Sequence, residues 1–271
     1  MIWVLVSAIG LYLGLTWLFA HKYLHPGGKI PVPPSELVEV SIAGAPTWVS
    51  PGWERAPAVI VLAHGYGGSR ASWGDIGPRL VASGYGVVVP AMPGQEASPA
   101  PMVGFGLAET DLVVEVAAVV RRENPGAKLV LMGVSLGGAA CWMAADRARP
   151  DAIISESAFA NLTDGITGFF GDIFKVGAYA LRPAIKLAEW RTGLDPQDVR
   201  PIDHAPHWKG PALLLIAGND PICPPHVVEQ YQEAVPHAEV VVFPDARHAR
   251  AYVADPERYM TTVLTFLKDL G

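Results

Sequence analysis

From Ala58 to Leu270 the chain alternates short apolar runs with longer amphipathic stretches, and this alternation restricts the fold more than any other feature. The runs "AVIVLA" (Ala58–Ala63), "GVVVP" (Gly86–Pro90), "KLVLMG" (Lys128–Gly133), "AIIS" (Ala152–Ser155), "ALLLIAG" (Ala212–Gly218) and "EVVVF" (Glu239–Phe243) are short and apolar, and the first is continuously so and β-branched. The run Ala58–Ala63 marks a strand buried on both faces, and the others read as strands. Helical patterns lie near Ser72–Ser83, Leu107–Asn124, Leu136–Arg147, Pro225–Val235 and Asp255–Leu270. Strand–helix alternation of this kind predicts an α/β fold, a mostly parallel sheet flanked by helices. A hairpin of Leu37–Ala43 and Pro46–Ser50 precedes it, turning around Gly44.

One segment breaks the rhythm. Residues 161–209 contain no strand pattern, and Ile166, Phe169, Phe170, Ile173 and Phe174 follow a helical stripe. Placed between two sheet strands, this segment reads as a helical lid insertion.

The first 20 residues carry no charged side chain. As a helix they would span about 30 Å, the thickness of a bilayer core. Residues 1–22 are therefore expected to form a transmembrane anchor, with Trp3, Trp17 and Tyr23 near its ends. Residues 23–34 contain the Pro/Gly-rich tether "HPGGKIPVPP" and lead into a domain over 35–271. Lys22 and Lys29 follow the span and no Lys or Arg precedes it, which places the domain on the cytoplasmic side. A signal peptide, with secretion after cleavage, is the alternative.

Composition narrows the function classes. The formal net charge is −6 with no Lys/Arg run, which argues against nucleic acid as partner. Cys141 and Cys223 have no CxxC spacing, and Cys141 reads as a small buried residue. His204 and His207 show H-x-x-H spacing without a third ligand, so no metal is expected. "GYGG" lacks the features of a nucleotide-binding loop. Oligomeric state is not readable.

The chemistry concentrates at "GVSLG", Gly133 to Gly137. A serine between a strand and a helix, with glycines on both sides, fits a sharp turn that exposes its hydroxyl as a nucleophile. Such a serine needs a base, and the base an orienting carboxylate. Asp220 follows the run ending at Gly218, and His248 follows the last run, so both emerge at the sheet edge that carries Ser135. Glu156 also follows a strand and is a rival acid; Asp245 reads as a turn former. An oxyanion hole is expected from the N–H groups of Leu136 and Tyr66, the latter in "AHGYGGS", with His64 organising that loop.

Together "HGYGGS", "GVSLGG", "GNDPICP" and "ARHA" resemble the α/β-hydrolase superfamily, in its branch of serine esterases, monoacylglycerol lipases and serine aminopeptidases. The closing "DPERYMTTVLTFLKDL" is similar to that family's final helix. The resemblance implies an eight-stranded sheet with a lid after the sixth strand. It also implies a triad of Ser135, Asp220 and His248, with Tyr66 and Leu136 as oxyanion donors. One loop departs: "PAMPGQEASP" has Ala91 and Gln95 where relatives carry an Asp and a glycine turn, and it is expected at the pocket rim. The expected activity is cofactor-free hydrolysis of a small-molecule ester, with an acyl or lipid ester favoured by the anchor and the Phe-rich insertion. A peptidase, a thioesterase and a catalytically silent scaffold are the alternatives. For a peptidase, Glu156 and Glu189 are the candidates to hold a substrate amine.

Overall fold

A computed structural model describes residues 2–174 and 182–271, apart from the side chains of residues 2–5, 8, 9, 170 and 172–174. Eight strands form one sheet: β1 (Val38–Ile42), β2 (Ala45–Val49), β3 (Ala58–Ala63), β4 (Gly86–Pro90), β5 (Lys128–Val134), β6 (Ala152–Glu156), β7 (Ala212–Ala217) and β8 (Glu239–Phe243). Their order is β1-β2-β4-β3-β5-β6-β7-β8. β2 runs antiparallel to both neighbours, and the six strands from β4 to β8 are parallel. Their C-terminal ends therefore share one edge, where ligands bind in open α/β sheets.

Period-two alternation divides the core. Val59, Val61, Leu129, Leu131, Ile153 and Leu214 face one side, where α3 (Leu107–Glu123) and α4 (Leu136–Ala148) pack. Ile60, Leu62, Val130, Met132, Ile154 and Leu215 face the other, against α2 (Ile76–Ala82) and α10 (Pro256–Asp269), whose Tyr259, Val263 and Phe266 are buried. Burying each such side chain stabilises by roughly 1.5–3 kcal/mol. α8 (Pro225–Ala234) and the short α9 (Ala251–Ala254) follow β7 and β8. The sequence reading contains no helix at α9, because four residues are too few to show a period.

Four helices remain among the described residues. α1 (Ile2–Leu24) packs its last turns against α6 (Arg182–Thr192), with Ala20 and Leu24 fully buried. α5 (Leu162–Phe174), α6 and the short α7 (Pro201–His204) occupy the expected insertion. Ile166 is buried in the core, while the side chains of Phe170, Ile173 and Phe174 lie outside the described residues. Among the described residues no helix is long and apolar enough to cross a membrane. Within the expected anchor, residue 1 and the side chains of residues 2–5, 8 and 9 lie outside them.

A buried ion pair ties the loop after β3 to the loop after β4. The Arg70 side chain is fully buried, with Nε 3.0 Å from Glu96 Oε2, Nη1 2.7 Å from Glu39 Oε2, and its guanidinium 5.0 Å from the Trp48 ring centre. Burial alone would raise the Glu96 carboxyl; the neighbouring His64 ring and the Arg70 N–H and guanidinium outweigh it and hold it below the ordinary range. Removing one partner strands the other charge, so Arg70→Met is expected to cost about 3 kcal/mol in urea unfolding. A depressed carboxylate stabilises fully above its unfolded value of 4.5, and this contribution is lost as pH falls through the lower folded value. The penalty of Arg70→Met should accordingly be largest near neutrality and shrink in acid; a penalty independent of pH would contradict the pairing.

Candidate active site

β5 ends at Val134 and α4 starts at Leu136, so the chain reverses within one residue. Ser135 takes φ 54 and ψ −118, outside the regions that L-residues favour. The turn is possible because its neighbours lack side chains. A Cβ on Gly133 would lie 2.4 Å from the Gly137 carbonyl carbon, and one on Gly137 would lie 2.1 Å from Ala63 O. The Ser135 N–H donates to Glu156 O at 2.8 Å, which pins the turn to β6.

Ser135 Oγ lies 2.8 Å from His248 Nε2, and His248 Nδ1 lies 2.8 and 2.9 Å from Asp220 Oδ2 and Oδ1. The carboxylate accepts the proton on Nδ1, which leaves the Nε2 lone pair facing the serine hydroxyl. Asp220 is itself fixed, since its Oδ1 accepts from the Ile222 and Cys223 N–H groups at 2.9 Å each. Burial alone would raise its carboxyl. The His248 hydrogen bond and charge, with those two N–H groups, outweigh burial and hold it below the usual carboxylate range. The structure thus brings Ser135, His248 and Asp220 into one hydrogen-bonded chain.

Glu156, the rival acid, is placed differently. Its Oε1 accepts from the Ala251 N–H at 2.9 Å and its Oε2 from the Tyr259 hydroxyl at 3.0 Å. Burial pushes its carboxyl up. It lies deep beside the site without a hydrogen bond to His248 among the described residues. Asp245 is exposed in the turn after β8. His204 and His207 both face Asp146, at 3.6 and 4.0 Å, and are half-buried to exposed. Among the described residues the only converging metal-type donors are Asp220, Cys223 and His248. There the thiol donates to Ser157 O at 3.1 Å and burial pushes it up, while the other two groups are committed to each other.

Tyr66 and Leu136 both line the cavity beside Ser135, and neither N–H makes a loop or cap hydrogen bond among the described residues. Gly65 allows their approach, because a Cβ there would lie 3.2 Å from Ser135 Cβ. His64 is fully buried beneath this loop; its Nε2 accepts from the Met92 N–H at 3.2 Å and its Nδ1 lies 3.0 Å from Gly65 O. The departing loop does not form the rim expected of it. Gln95 is buried behind the Tyr66 loop, where its Oε1 accepts the Gly67 N–H at 2.5 Å. The only sequence signal for this was a large amide where a glycine was expected. The cavity measures about 400 Å³ and is mostly apolar, with Tyr23, Phe105, Phe159, Ile166, Phe169 and Tyr252 among its walls.

A strained serine at a strand–helix turn, a fixed imidazole and an aromatic cavity define the class of site found in α/β hydrolases. Residues 60–262 match the alpha/beta hydrolase family, and the chain belongs to it. No curated protein matches the chain. Among solved structures it is similar to an esterase from Pyrococcus furiosus, at 18% identity and a TM-score of 0.70 over 90% of this chain and 100% of that one. It is similar to an esterase from Rhodococcus sp., at 18% identity and a TM-score of 0.61 over 87% and 100%. It also resembles an acylaminoacyl peptidase from Pyrococcus horikoshii, at 17% identity and a TM-score of 0.64 over 86% of this chain and 41% of that one. At these identities the likeness is one of fold.

The turn itself is testable. Gly137→Ala forces a methyl group against Ala63 O and is expected to cost about 3 kcal/mol. Gly171→Ala, on exposed helix with nothing within 4 Å of the new methyl, should be neutral or slightly stabilising. Urea midpoints check both, and equal effects would refute the close approach.

Proposed function

We propose that this chain is a serine hydrolase that cleaves carboxylic esters with an apolar acyl group through a Ser–His–Asp acyl-enzyme mechanism. The observation that carries the reading is the continuous hydrogen-bonded chain Asp220–His248–Ser135 opening on an aromatic cavity. In this mechanism His248 takes the Ser135 proton as Oγ attacks the ester carbonyl carbon. Asp220 holds the imidazole in the required tautomer and stabilises the imidazolium. The Leu136 and Tyr66 N–H groups meet the oxyanion, each donor typically contributing about 3–4 kcal/mol to transition-state stabilisation. His248 returns the proton to the leaving alkoxide, and a water activated by the same imidazole then releases the acid. The steps require no cofactor.

The placement of the acidic residues favours this chemistry over the peptidase reading. A peptidase of the expected kind would need a free carboxylate for a substrate amine. Glu156 is occupied by Ala251 and Tyr259, and Glu189 is paired with Lys186 at 2.5 Å. Thioesters share the same electrophilic carbonyl and fall within the same proposal. A silent scaffold would have no use for the strained backbone at Ser135.

Membrane association through α1 belongs to the proposal as well. Its support is the exposure of Leu11, Leu13, Leu15, Trp17 and Leu18, each more than half exposed, on a helix without charge before Lys22. Lys22 and Lys29 beyond the apolar stretch favour a cytoplasmic catalytic domain.

Hydrolysis of p-nitrophenyl esters from acetate to palmitate by the full chain tests the reading. The expected result is turnover that peaks at a definite chain length and vanishes in Ser135→Ala. Asp220→Asn should lower kcat by about 10³–10⁴-fold, because an amide facing Nδ1 favours the wrong tautomer. Full activity of either variant would overturn the assignment.

A further inference from the structure

The loop that carries Tyr66 is fastened to the N-terminal helix from two sides. The Tyr66 hydroxyl donates to Tyr23 O at 2.9 Å, across 43 residues of sequence. That carbonyl lies in the last turn of α1, where a helix leaves its acceptors without intrahelical partners. The rings follow the same path: Tyr23 and Tyr66 centre 5.4 Å apart, and Phe105 stacks 4.6 Å from Tyr23 and 6.0 Å from Tyr66. The second side runs through the backbone. Gly27 pairs with Gln95 as an isolated bridge, and Gln95 Oε1 accepts the Gly67 N–H at 2.5 Å. Leu24 O accepts the Val103 N–H at 3.0 Å, which ties the same turn to the segment bearing Phe105. Residues 23–27 thus hold both the side chain of Tyr66 and the peptide that follows it.

We propose that the last turn of α1 is a positioning element for the reaction, with Tyr23 and Gln95 setting the Tyr66 N–H against the oxyanion, so that catalysis depends on how α1 is seated. This rests on the serine hydrolase reading above. An oxyanion donor acts through its placement, and a misplacement of about 1 Å can cost about a hundredfold in rate. Gly65, Gly67 and Gly68 flank Tyr66, and Gly67 takes φ +68, so this fastening adds to the few ties the loop has of its own, the Gly68 N–H to Gly65 O at 3.1 Å and the Phe169 ring edge-on to Tyr66 at 5.4 Å. α1 is long enough to transmit a change. Its buried Ala20 and Leu24 lie against α6, which carries buried Ala184 and Ala188, while the turns before Ala20 expose Leu11, Leu13 and Leu18.

The experiment compares the full chain with Tyr66→Phe, which removes only the hydroxyl, and with Gln95→Met, which removes the amide acceptor at similar volume. Each is measured for kcat and KM on p-nitrophenyl butyrate and for amide hydrogen exchange over residues 64–70. In both variants kcat is expected to fall about tenfold with KM within twofold, and exchange of the loop to quicken while that of β5 stays unchanged. Unchanged kcat and unchanged loop exchange would overturn the proposal. So would losses that follow a uniform rise in exchange across the domain, since that pattern marks general destabilisation. If the wild type hydrolyses esters and loop exchange does not respond, the positioning role fails and the hydrolase reading stands. If loop exchange responds but no ester is turned over by the wild type, the fastening stands and the hydrolase reading fails.

Discussion

Gly137 meets Ala63 O so closely that no side chain fits between them, and much of the site depends on that contact. It presses the start of α4 onto the end of β3 and forces Ser135 into a positive φ between them. The serine hydroxyl is then raised above the sheet edge while its N–H is bound to Glu156 O on the next strand. Gly65 sits opposite, near enough that its missing Cβ leaves room for Ser135 Cβ. The strain in one residue is carried by three neighbouring strands, each buried on both faces. Strain of this kind persists only where the surroundings over-determine it.

Parallel strands turn that local device into a site. β3, β5, β7 and β8 all end at one edge, so the Tyr66 loop, Ser135, Asp220 and His248 converge although the outermost are more than 180 residues apart. Above the edge, α1 and α5 supply apolar walls around Ser135. The carboxylates then sort by environment. Asp220, held by two N–H groups and an imidazole, keeps its charge; Glu156, buried against a phenol, is driven towards its neutral form. The same sheet edge thereby holds one acid suited to orienting a base and another suited to bracing the floor of the cavity.

What could be read from the sequence follows from how local each feature is. Nearly continuous apolar runs declared the inner strands within a residue or so, because burial on both faces leaves no polar position to blur the ends. Ser135 was legible because its glycines answer to backbone geometry within five residues. Asp220 was the expected acid and Glu156 its rival, since each stands at or just after the end of a strand; in the structure they differ in whether the side chain meets His248 or Tyr259. The loop around Gln95 was expected at the rim and is instead buried behind Tyr66. Its partners, Gly27 and Gly67, are loop residues whose pairing no periodicity reports. The link from Tyr66 to Tyr23 was hidden for the same reason. α1 was legible as an apolar helix, whereas the burial of its last turn against α6 was not.

The central claim is that the geometry around Ser135 makes its hydroxyl a nucleophile through His248. The most direct measurement is mapping, by peptide mass spectrometry, of the adduct formed when the full chain meets a slight excess of an alkyl fluorophosphonate. The account predicts one adduct, on Ser135, forming at least about a hundredfold more slowly in His248→Ala. An adduct on another residue, or one that forms on Ser135 just as fast without His248, would contradict it.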